Sequence, residues 1–325
     1  MIASIEFRDF RVLEHATLPL GAFNLLLGPN GSGKTTALRA LLALGQIARD
    51  RLHGATSDAQ PDLAGASTVF TMGGAFEGVS VRLGFGADGS PAMEVIGGVS
   101  REDELVQWLS GLRGYVIDPL VLAKSVDDFT ARSIGWNGEG LAGVLASMHA
   151  GDAGRWRRLV GEFQRLMPEF SDIVAGRAVQ GGVSFSVVTR QGKALSPENL
   201  SQGTLVLLGV LALVFGEDRP SLFCLEELER GLHPRLLREM RDLLFRMSFP
   251  EESGETTPAV QVVATTHSPY VLDLFADTPE DVIVATKGEG AATFQRLDAI
   301  PELSEMLESG RLGDLWYSGI LGGVP

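Results

Sequence analysis

A run of glycines, a lysine and threonines near the N-terminus has the spacing of a phosphate-binding loop. Residues 28–36 read GPNGSGKTT and match Gly-x-x-x-x-Gly-Lys-[Ser/Thr] without a mismatch. Glycines let successive backbone N–H groups turn toward a phosphate, and a helix that starts near Gly33 directs its positive end at the same anion. The motif predicts that Lys34 contacts the β- and γ-phosphates of a nucleoside triphosphate and that Thr35 holds Mg²⁺. The predicted nucleotide-binding residues of the loop are Gly28, Asn30, Gly31, Ser32, Gly33, Lys34, Thr35 and Thr36.

Two adjacent carboxylates, Glu226 and Glu227, follow the apolar run 222–225. Hydrolysis of a nucleoside triphosphate needs a carboxylate for the metal and a group that orients or polarises the attacking water. We therefore predict that Glu226 binds the metal together with Thr35, and that Glu227 acts on the water. A strand that simply ends in solvated acids is equally common, and the phosphate loop upstream favours the functional interpretation.

Two further segments carry groups that could meet the γ-phosphate. His267 follows the apolar run 260–266, and ligands gather at the carboxyl ends of strands in parallel α/β sheets. We predict that His267 donates a hydrogen bond to a γ-phosphate oxygen, although an isolated histidine at a strand end is usually structural. Ser201 and Gly203 lie at the start of a helix-like run, where they could form a second anion site. One polypeptide cannot easily wrap both sites around one γ-phosphate, so a second subunit is expected to supply the second site.

The N-terminal part of the chain is predicted to be mainly strands. Apolar and polar residues alternate over about the first 27 residues, which predicts two antiparallel strands and then the strand 23–27 before the loop. A helix is predicted over 36–48. Beyond it come a polar connector, 54–66, and short strands within 67–98, with Gly73-Gly74 and Asp88-Gly89 as turns.

The remainder is predicted to contain helices first and then buried strands. The apolar period is helical from about 102 to 170, and Pro168 is expected to end the second helix there. A strand pair is expected near 179–188. The last predicted elements are a long apolar helix at 204–215, buried strands at 222–226 and 260–266, and a tail of short elements.

Composition limits the classes of function. The chain has 325 residues, of which 45% are apolar and 21% charged, and a formal net charge of −14. This is the balance of a globular protein whose overall field repels nucleic acid. No apolar run reaches the ~18 residues of a membrane span, and the N-terminus lacks a secretory signal, so a cytoplasmic location without membrane contact is expected. Cys224 is the only cysteine and is expected to pack in the core.

Any contact with DNA must therefore be local, and two arginine groups are candidates. For both groups, the solvated face of an amphipathic helix is the more common explanation. The first group is Arg155, Arg157, Arg158 and Arg165 with Trp156, and the second is Arg235, Arg238, Arg241 and Arg246.

The order of these motifs resembles that of ATP-binding-cassette (ABC) ATPase heads, and within them the branch of RecF-like, SMC-like and overcoming-lysogenisation-defect (OLD) ATPases, often catalogued as AAA_21. The segments that carry the resemblance are 28–35, 200–204, 225–234 and 265–269. The resemblance implies an α/β P-loop NTPase of the ABC-head type, with a mixed central sheet, an antiparallel β subdomain and a helical lobe. It also implies ATP and Mg²⁺ as ligands, and head-to-head homodimers in which ATP lies between Lys34 of one subunit and Ser201 and Gly203 of the other.

The same resemblance implies a single head over 1–325. We expect an N-terminal β subdomain with the phosphate loop at 1–100, a helical lobe with a β hairpin at 101–200, and the remaining motifs at 201–325. Three features depart from the family pattern: Glu226 stands where Asp is usual, Leu228 stands where Pro is usual, and no clear glutamine loop is present, with Asp118 near its expected place. Slow turnover is expected from these departures.

The resemblance implies a regulatory or DNA-associated ATPase in genome maintenance or anti-phage defence. There is no coiled-coil run, and the segment after His267 is too short for an added nuclease domain, so a separately encoded nuclease or toxin is the expected effector. Two alternatives stay open. A transporter nucleotide-binding subunit would require a glutamine loop and Gly-Gly-Gln where Gln202-Gly203-Thr204 stands, and an ATP-binding switch with little hydrolysis would explain Glu226.

Overall fold

A six-stranded mixed sheet carries the phosphate loop, the acid pair and His267. Its order is β14-β13-β3-β12-β11-β7. Strand β3 lies between β12 and β13 and is parallel to both, and β11 is parallel to β12. The carboxyl ends of β3, β11 and β12 therefore meet at one edge of the sheet. The strands are β3 (Phe23–Leu27), β7 (Leu112–Tyr115), β11 (Leu222–Leu225), β12 (Gln261–Thr266), β13 (Val282–Lys287) and β14 (Ala292–Arg296).

These observations come from a computed structural model, and the structure describes residues 1–54, 67–85, 90–127, 133–178, 181–287 and 292–321. The chain divides into two compact units. The first consists of Met1–Gly114, Pro220–Leu228 and Leu244–Pro325, and the second of Tyr115–Arg219 and Glu229–Leu243. The predicted division into 1–100, 101–200 and 201–325 was based on the positions of the motifs, and it stays a prediction.

The first unit also contains the predicted antiparallel β subdomain. Its five strands have the order β2-β1-β4-β5-β6, and each neighbouring pair is antiparallel. The alternation of the first residues is confirmed, because Ile5, Phe7 and Phe10 of β1 are buried and the residues between them are more exposed. The strands are β1 (Ile2–Phe10), β2 (Leu13–Pro19), β4 (Ser67–Met72), β5 (Ser80–Phe85) and β6 (Pro91–Ile96).

Helix α1 (Lys34–His53) packs in the core of the first unit together with strands of both sheets. Leu38, Leu41 and Leu44 face that core, so the helix has the apolar stripe of an amphipathic helix. It extends beyond the predicted 36–48 at both ends, since Lys34 already has helical conformation and a polar last turn continues to a left-handed Gly54. The remaining helices of this unit are α2 (Glu102–Ser110), α8 (Pro269–Asp273), α9 (Leu303–Ser309) and α10 (Leu312–Tyr317).

The second unit is mainly helical and has a small antiparallel sheet of order β10-β9-β8. Helix α6 (Gln202–Phe215) is buried over nearly its whole length, as its apolar sequence predicts. Helix α7 (Pro234–Ser248) is divided between the units after Leu243. The other elements are α3 (Pro119–Leu122), α4 (Leu141–Gly151), α5 (Ala153–Leu166), β8 (Phe170–Arg177), β9 (Val183–Thr189) and β10 (Ala194–Leu195).

Two further predictions of secondary structure were wrong. The stretch 102–170 is not helical throughout, because β7 interrupts it and joins the edge of the mixed sheet. The strand pair begins at Phe170 rather than near 179, and Gly181 and Gly182 lie in its turn with φ of 94° and 75°. Such positive φ values suit a turn between strands and not a position within one.

Other predictions fall partly outside the described residues. The connector 54–66 is described only at Gly54, and the turn Asp88-Gly89 is outside the described ranges. Gly73-Gly74 does separate β4 from β5. Within the part of the chain that the structure describes, no helix combines the length and apolar character needed to span a bilayer.

Candidate functional site

The phosphate-loop motif forms the turn between β3 and α1. Gly31 and Gly33 have φ of 79° and 96°, in the region where a Cβ is disfavoured. Gly28 is required for a different reason: a Cβ there would lie 2.4 Å from the carbonyl oxygen of Ala285 on β13. Close packing beneath the loop and left-handed turns within it both need glycine, so the backbone itself explains the spacing of the motif.

The side chain of Lys34 folds back over this loop. Its Nζ donates hydrogen bonds to the carbonyl oxygens of Gly28 at 2.7 Å and Pro29 at 2.9 Å, and it lies 3.5 Å from Oγ of Ser32. Only 6% of Lys34 is exposed. The positive charge is therefore held at the loop, where the motif predicts the β- and γ-phosphates.

Thr35 and Glu226 are in contact. The Thr35 hydroxyl and the Glu226 carboxylate line the same cavity, and the hydroxyl favours the charged form of the carboxylate. Burial raises the pKa of Glu226, and the Thr35 hydroxyl and the positive charge of Arg39 oppose that rise. Hydroxyl and carboxylate oxygens are ligands that suit Mg²⁺. The residues that line this part of the cavity therefore fit a magnesium ion, and the effect of the extra methylene of Glu226 stays a prediction.

Glu227 has an unusual backbone for a residue with a side chain. It follows β11 with a φ of 53°, a conformation that costs of order 1–3 kcal/mol and persists only where its surroundings impose it. Thr265, near the end of β12, provides such surroundings: its Oγ1 accepts the N–H of Glu227 at 3.0 Å, and its carbonyl oxygen accepts the N–H of Leu228 at 2.9 Å.

Most of the predicted site residues of the first unit line one cavity of about 170 Å³. Gly28 and Ser32 belong to the same loop, and Ser32 is fully buried. Sequence reasoning assigned no role to Val12, an exposed apolar residue in the β1–β2 turn, or to Thr265, which was noted only as part of the segment 265–269. The cavity is lined by Val12, Asn30, Gly31, Gly33, Lys34, Thr35, Thr36, Glu226, Glu227, Thr265 and His267.

The predicted second anion site belongs to the second unit. Ser201 caps α6 as expected, because its Oγ accepts the N–H of Thr204 at 3.1 Å. Gly203 packs closely against the 229–232 turn, and a Cβ there would lie 3.1 Å from the carbonyl oxygen of Gly231. The N-terminus of α6 is therefore capped and closely packed. Binding of a nucleotide by Ser201 and Gly203 stays a prediction.

Asp118 is engaged in local structure. Its carboxylate accepts the N–H of Leu120 at 2.8 Å and caps the short helix α3. A role for Asp118 in place of the glutamine loop stays a prediction. Cys224 lies in β11 with 1% of its surface exposed, and burial raises the pKa of its thiol, as expected for a core residue.

Most arginines of the two candidate DNA patches have acidic or backbone partners. Arg155 pairs with Asp152, and Arg165 pairs with both Glu162 and Glu239. These ion pairs reduce the positive charge that a phosphate backbone would meet. In the same two groups, the Arg158 guanidinium lies 5.9 Å from the ring centroid of Phe215, Arg235 donates to the carbonyl oxygen of Leu166, Arg241 pairs with Asp242, and Arg246 pairs with Glu255.

A family model matches the chain over residues 23–135 and 150–273, and its description is "AAA domain, putative AbiEii toxin, Type IV TA system" (AAA_21). The chain belongs to this family. The two matched segments contain the phosphate loop, the acid pair and His267, as well as Ser201 and Gly203.

Solved structures show the fold. An SMC head bound to the C-winged helix domain of ScpA superposes with a TM-score of 0.60 at 15% identity, covering 90% of this chain and 96% of that one. The SMC head of Thermotoga maritima gives a TM-score of 0.51 at 16% identity, covering 91% and 98%. The predicted fold class, an ABC-type P-loop head with a mixed sheet and an antiparallel β subdomain, is confirmed.

Curated relatives match over short segments. The OLD nuclease of Thermus scotoductus is 48% identical over 48 residues, and the DNA replication and repair protein RecF of Proteus mirabilis is 50% identical over 46 residues. RecF of Yersinia pseudotuberculosis is 59% identical over 45 residues. Each match covers 14% of this chain and only 9% to 13% of the relative. With the family model and the SMC heads, these matches identify an ABC-type ATPase head of the RecF/SMC/OLD branch.

Proposed function

We propose that the protein binds ATP with Mg²⁺ and hydrolyses it. The observation that carries this proposal is the cavity at the carboxyl edge of the mixed sheet, which brings Lys34, Thr35, Glu226, Glu227 and His267 together. The five side chains are an ammonium, a hydroxyl, two carboxylates and an imidazole. The first four are groups that bind phosphate, hold Mg²⁺ and orient water in phosphoryl transfer.

Each residue has a separate task in the proposed reaction. The N–H groups of the glycine loop and the Nζ of Lys34 bind the β- and γ-phosphates, while Thr35 and Glu226 hold the metal. Glu227 accepts a hydrogen bond from the attacking water and orients it, and His267 donates to a γ-phosphate oxygen. When bound, Mg²⁺ would neutralise charge on the β- and γ-phosphates.

The first experiment is steady-state ATP hydrolysis by the wild type beside Lys34→Ala. Lys34 carries the only side-chain ammonium that lines the cavity within the described residues, so its loss should abolish specific hydrolysis. Activity that survives in Lys34→Ala at the wild-type rate would come from a contaminant or from another site, and would contradict the proposal.

We further propose that ATP joins two copies head to head, with Ser201 and Gly203 of one copy closing the site of the other. The support is the similarity to the RecF/SMC/OLD branch together with the capped start of α6. Glu227→Gln should keep bound ATP and accumulate as a dimer in gel filtration with saturating Mg-ATP. A Glu227→Gln protein that remains monomeric while it binds ATP would contradict this arrangement.

The biological setting that we propose is DNA-associated genome maintenance or defence against foreign DNA, with a separately encoded nuclease or toxin as effector. Support comes from the relatives, which include RecF proteins of DNA replication and repair, an OLD nuclease, and a family whose description includes a toxin. Linear duplex DNA should stimulate Lys34-dependent hydrolysis. Hydrolysis that is indifferent to DNA would instead indicate a protein trigger.

A second candidate function is an ATP-binding switch that hydrolyses slowly. The observation that favours it is Glu226, a half-buried glutamate with a raised pKa at the position of the metal ligand. Glu226→Asp should then increase the turnover of ATP. If Glu226→Asp leaves the turnover unchanged, the identity of this carboxylate does not limit the reaction.

A further inference from the structure

The backbone of Glu227 is fixed from both sides by a single neighbour. The peptide group before the Cα of Glu227 contains the N–H of Glu227, and the peptide group after it contains the N–H of Leu228. Thr265 accepts both, the first through Oγ1 at 3.0 Å and the second through its carbonyl oxygen at 2.9 Å. Fixing both planes fixes φ and ψ of Glu227 and therefore the direction in which its side chain leaves the backbone.

This double contact meets a specific need at the end of β11. Glu227 has a φ of 53°, whereas a residue that continued the strand would have a strongly negative φ. The strand pairing places Leu225 opposite Ala264, so Thr265 is the next residue of β12 just where β11 ends. In a regular parallel pairing, backbone carbonyls are the acceptors of backbone N–H groups. Here the N–H of Glu227 donates instead to the side-chain hydroxyl of Thr265.

The surroundings make the Thr265 hydroxyl a reliable anchor. Thr265 lies in a strand that is buried at every position, and only 4% of its own surface is exposed. Glu227 itself is exposed, and both residues line the cavity that also contains Lys34 and His267. A buried anchor thus holds an exposed carboxylate at the edge of the candidate site.

We infer that Thr265 is a positioning residue for Glu227: it holds the Glu227 backbone in the left-handed conformation from which the carboxylate orients the attacking water. This inference rests on the proposed ATPase function. Thr265 does not touch the nucleotide or the water in this role, and it acts only through Glu227.

Two substitutions separate the hydroxyl from the rest of the side chain. Thr265→Val keeps the β-branched shape and the carbonyl but removes the Oγ1 acceptor, and Thr265→Ser keeps the acceptor. Thr68→Val is the matched control, because Thr68 is a buried strand residue of the same unit whose hydroxyl has no hydrogen-bond partner in the part of the chain that the structure describes. Thermal unfolding of all three variants shows that each is folded.

Turnover and ATP affinity are then measured for each variant. Since small misplacements of reacting groups cost up to about 100-fold in rate, Thr265→Val should lower kcat about 10- to 100-fold with the ATP dissociation constant unchanged. Thr265→Ser should recover most of the rate, and Thr68→Val should match the wild type. In a Glu227→Gln background, Thr265→Val should add little further loss, because both changes act on the same group.

Amide hydrogen exchange at Glu227, followed by NMR, provides a readout that needs no hydrolysis. The Glu227 amide should exchange faster in Thr265→Val than in the wild type or Thr265→Ser. Unchanged exchange, or a kcat within about twofold of the wild type when Lys34-dependent hydrolysis is present, would overturn the inference. Absence of Lys34-dependent hydrolysis in the wild type would overturn the proposed function instead, and the exchange rate alone would then decide whether Thr265 holds Glu227.

Discussion

The carbonyl oxygen of Ala285 lies so close to Gly28 that a Cβ on Gly28 would be 2.4 Å from it. Gly28 opens the phosphate loop and Ala285 lies on β13, the strand that pairs with β3 directly before the loop. The first glycine of the motif therefore serves the packing of loop on sheet, in addition to any contact with a phosphate.

Gly28→Ala should consequently destabilise the protein even without nucleotide. Overpacking of this kind typically costs about 1–3 kcal/mol in the free energy of unfolding, which denaturant titration measures. Gly84→Ala is the control, because a Cβ on Gly84 in β5 would meet no atom within 4 Å. Equal stability of the two variants would show that the loop yields to the added methyl group.

The sequence predicted the parts of the fold whose residues have a strong local pattern. Strands β1 and β2, the phosphate loop and the buried strands β11 and β12 were found because alternation, glycine spacing and apolar runs are local signals. Strand β7 was missed, since Leu112–Tyr115 is too short to show a period and becomes a strand by pairing at the sheet edge.

In the candidate site too, residues in local motifs were predicted, and residues placed by pairing between strands were missed. The motifs stand at the carboxyl ends of predicted strands, and this position predicted which residues would meet, because ligands gather at that end of parallel strands. Thr265 was missed because its hydrogen bonds to Glu227 and Leu228 depend on the register between β11 and β12, which no residue type reveals. The ion pair of Arg165 with Glu239 likewise depends on tertiary packing, whereas Arg155 and Asp152 form a local i,i+3 pair.

The left-handed backbone of Glu227 predicts an inverted preference between alanine and glycine. Both Glu227→Ala and Glu227→Gly remove the carboxylate and should abolish hydrolysis. At a φ of 53°, a Cβ costs about 1–2 kcal/mol in the folded state, and glycine avoids this cost. Glycine also has more conformational freedom in the unfolded state, which cancels part of this advantage. The difference between these two effects leads us to expect Glu227→Gly to be more stable than Glu227→Ala by about 0.5–1 kcal/mol in denaturant titration. A more stable alanine variant would show that this conformation carries no strain.

Asp281 predicts a pH dependence of stability away from the site. Burial, and next the neighbouring charge of Glu280, raise the pKa of Asp281 to about 6, while Arg296 partly opposes the rise. The folded state thus binds the proton more tightly than the unfolded state, so this group lowers stability as pH rises from about 4 to 6.

Asp281→Asn removes that titration. The variant should be more stable than the wild type above about pH 6, and the difference should shrink toward pH 4. Partial exposure of Asp281 reduces the size of the effect but not its sign. Thermal unfolding across this pH range measures it, with Asp277→Asn, at an exposed aspartate of the same unit, as the control. A constant difference between Asp281→Asn and the wild type would contradict the prediction.

Ser201 allows helix capping to be separated from ATP-dependent dimerisation. Its hydroxyl caps α6 by accepting the N–H of Thr204, so Ser201→Ala should lose about 1 kcal/mol of stability. Aspartate is as good a cap as serine but carries a negative charge. Ser201→Asp should therefore keep the stability of the wild type, yet repel the γ-phosphate that a second copy presents.

The measurement places both substitutions in the Glu227→Gln background with saturating Mg-ATP. Light scattering should show that Ser201→Asp prevents the dimer, while the affinity of each monomer for ATP is unchanged because that site uses Lys34. The dimer should survive better in Ser201→Ala despite its lower stability, since alanine removes a hydrogen bond without adding charge. If Ser201→Asp dimerises as readily as its parent, the start of α6 does not face the γ-phosphate of the partner.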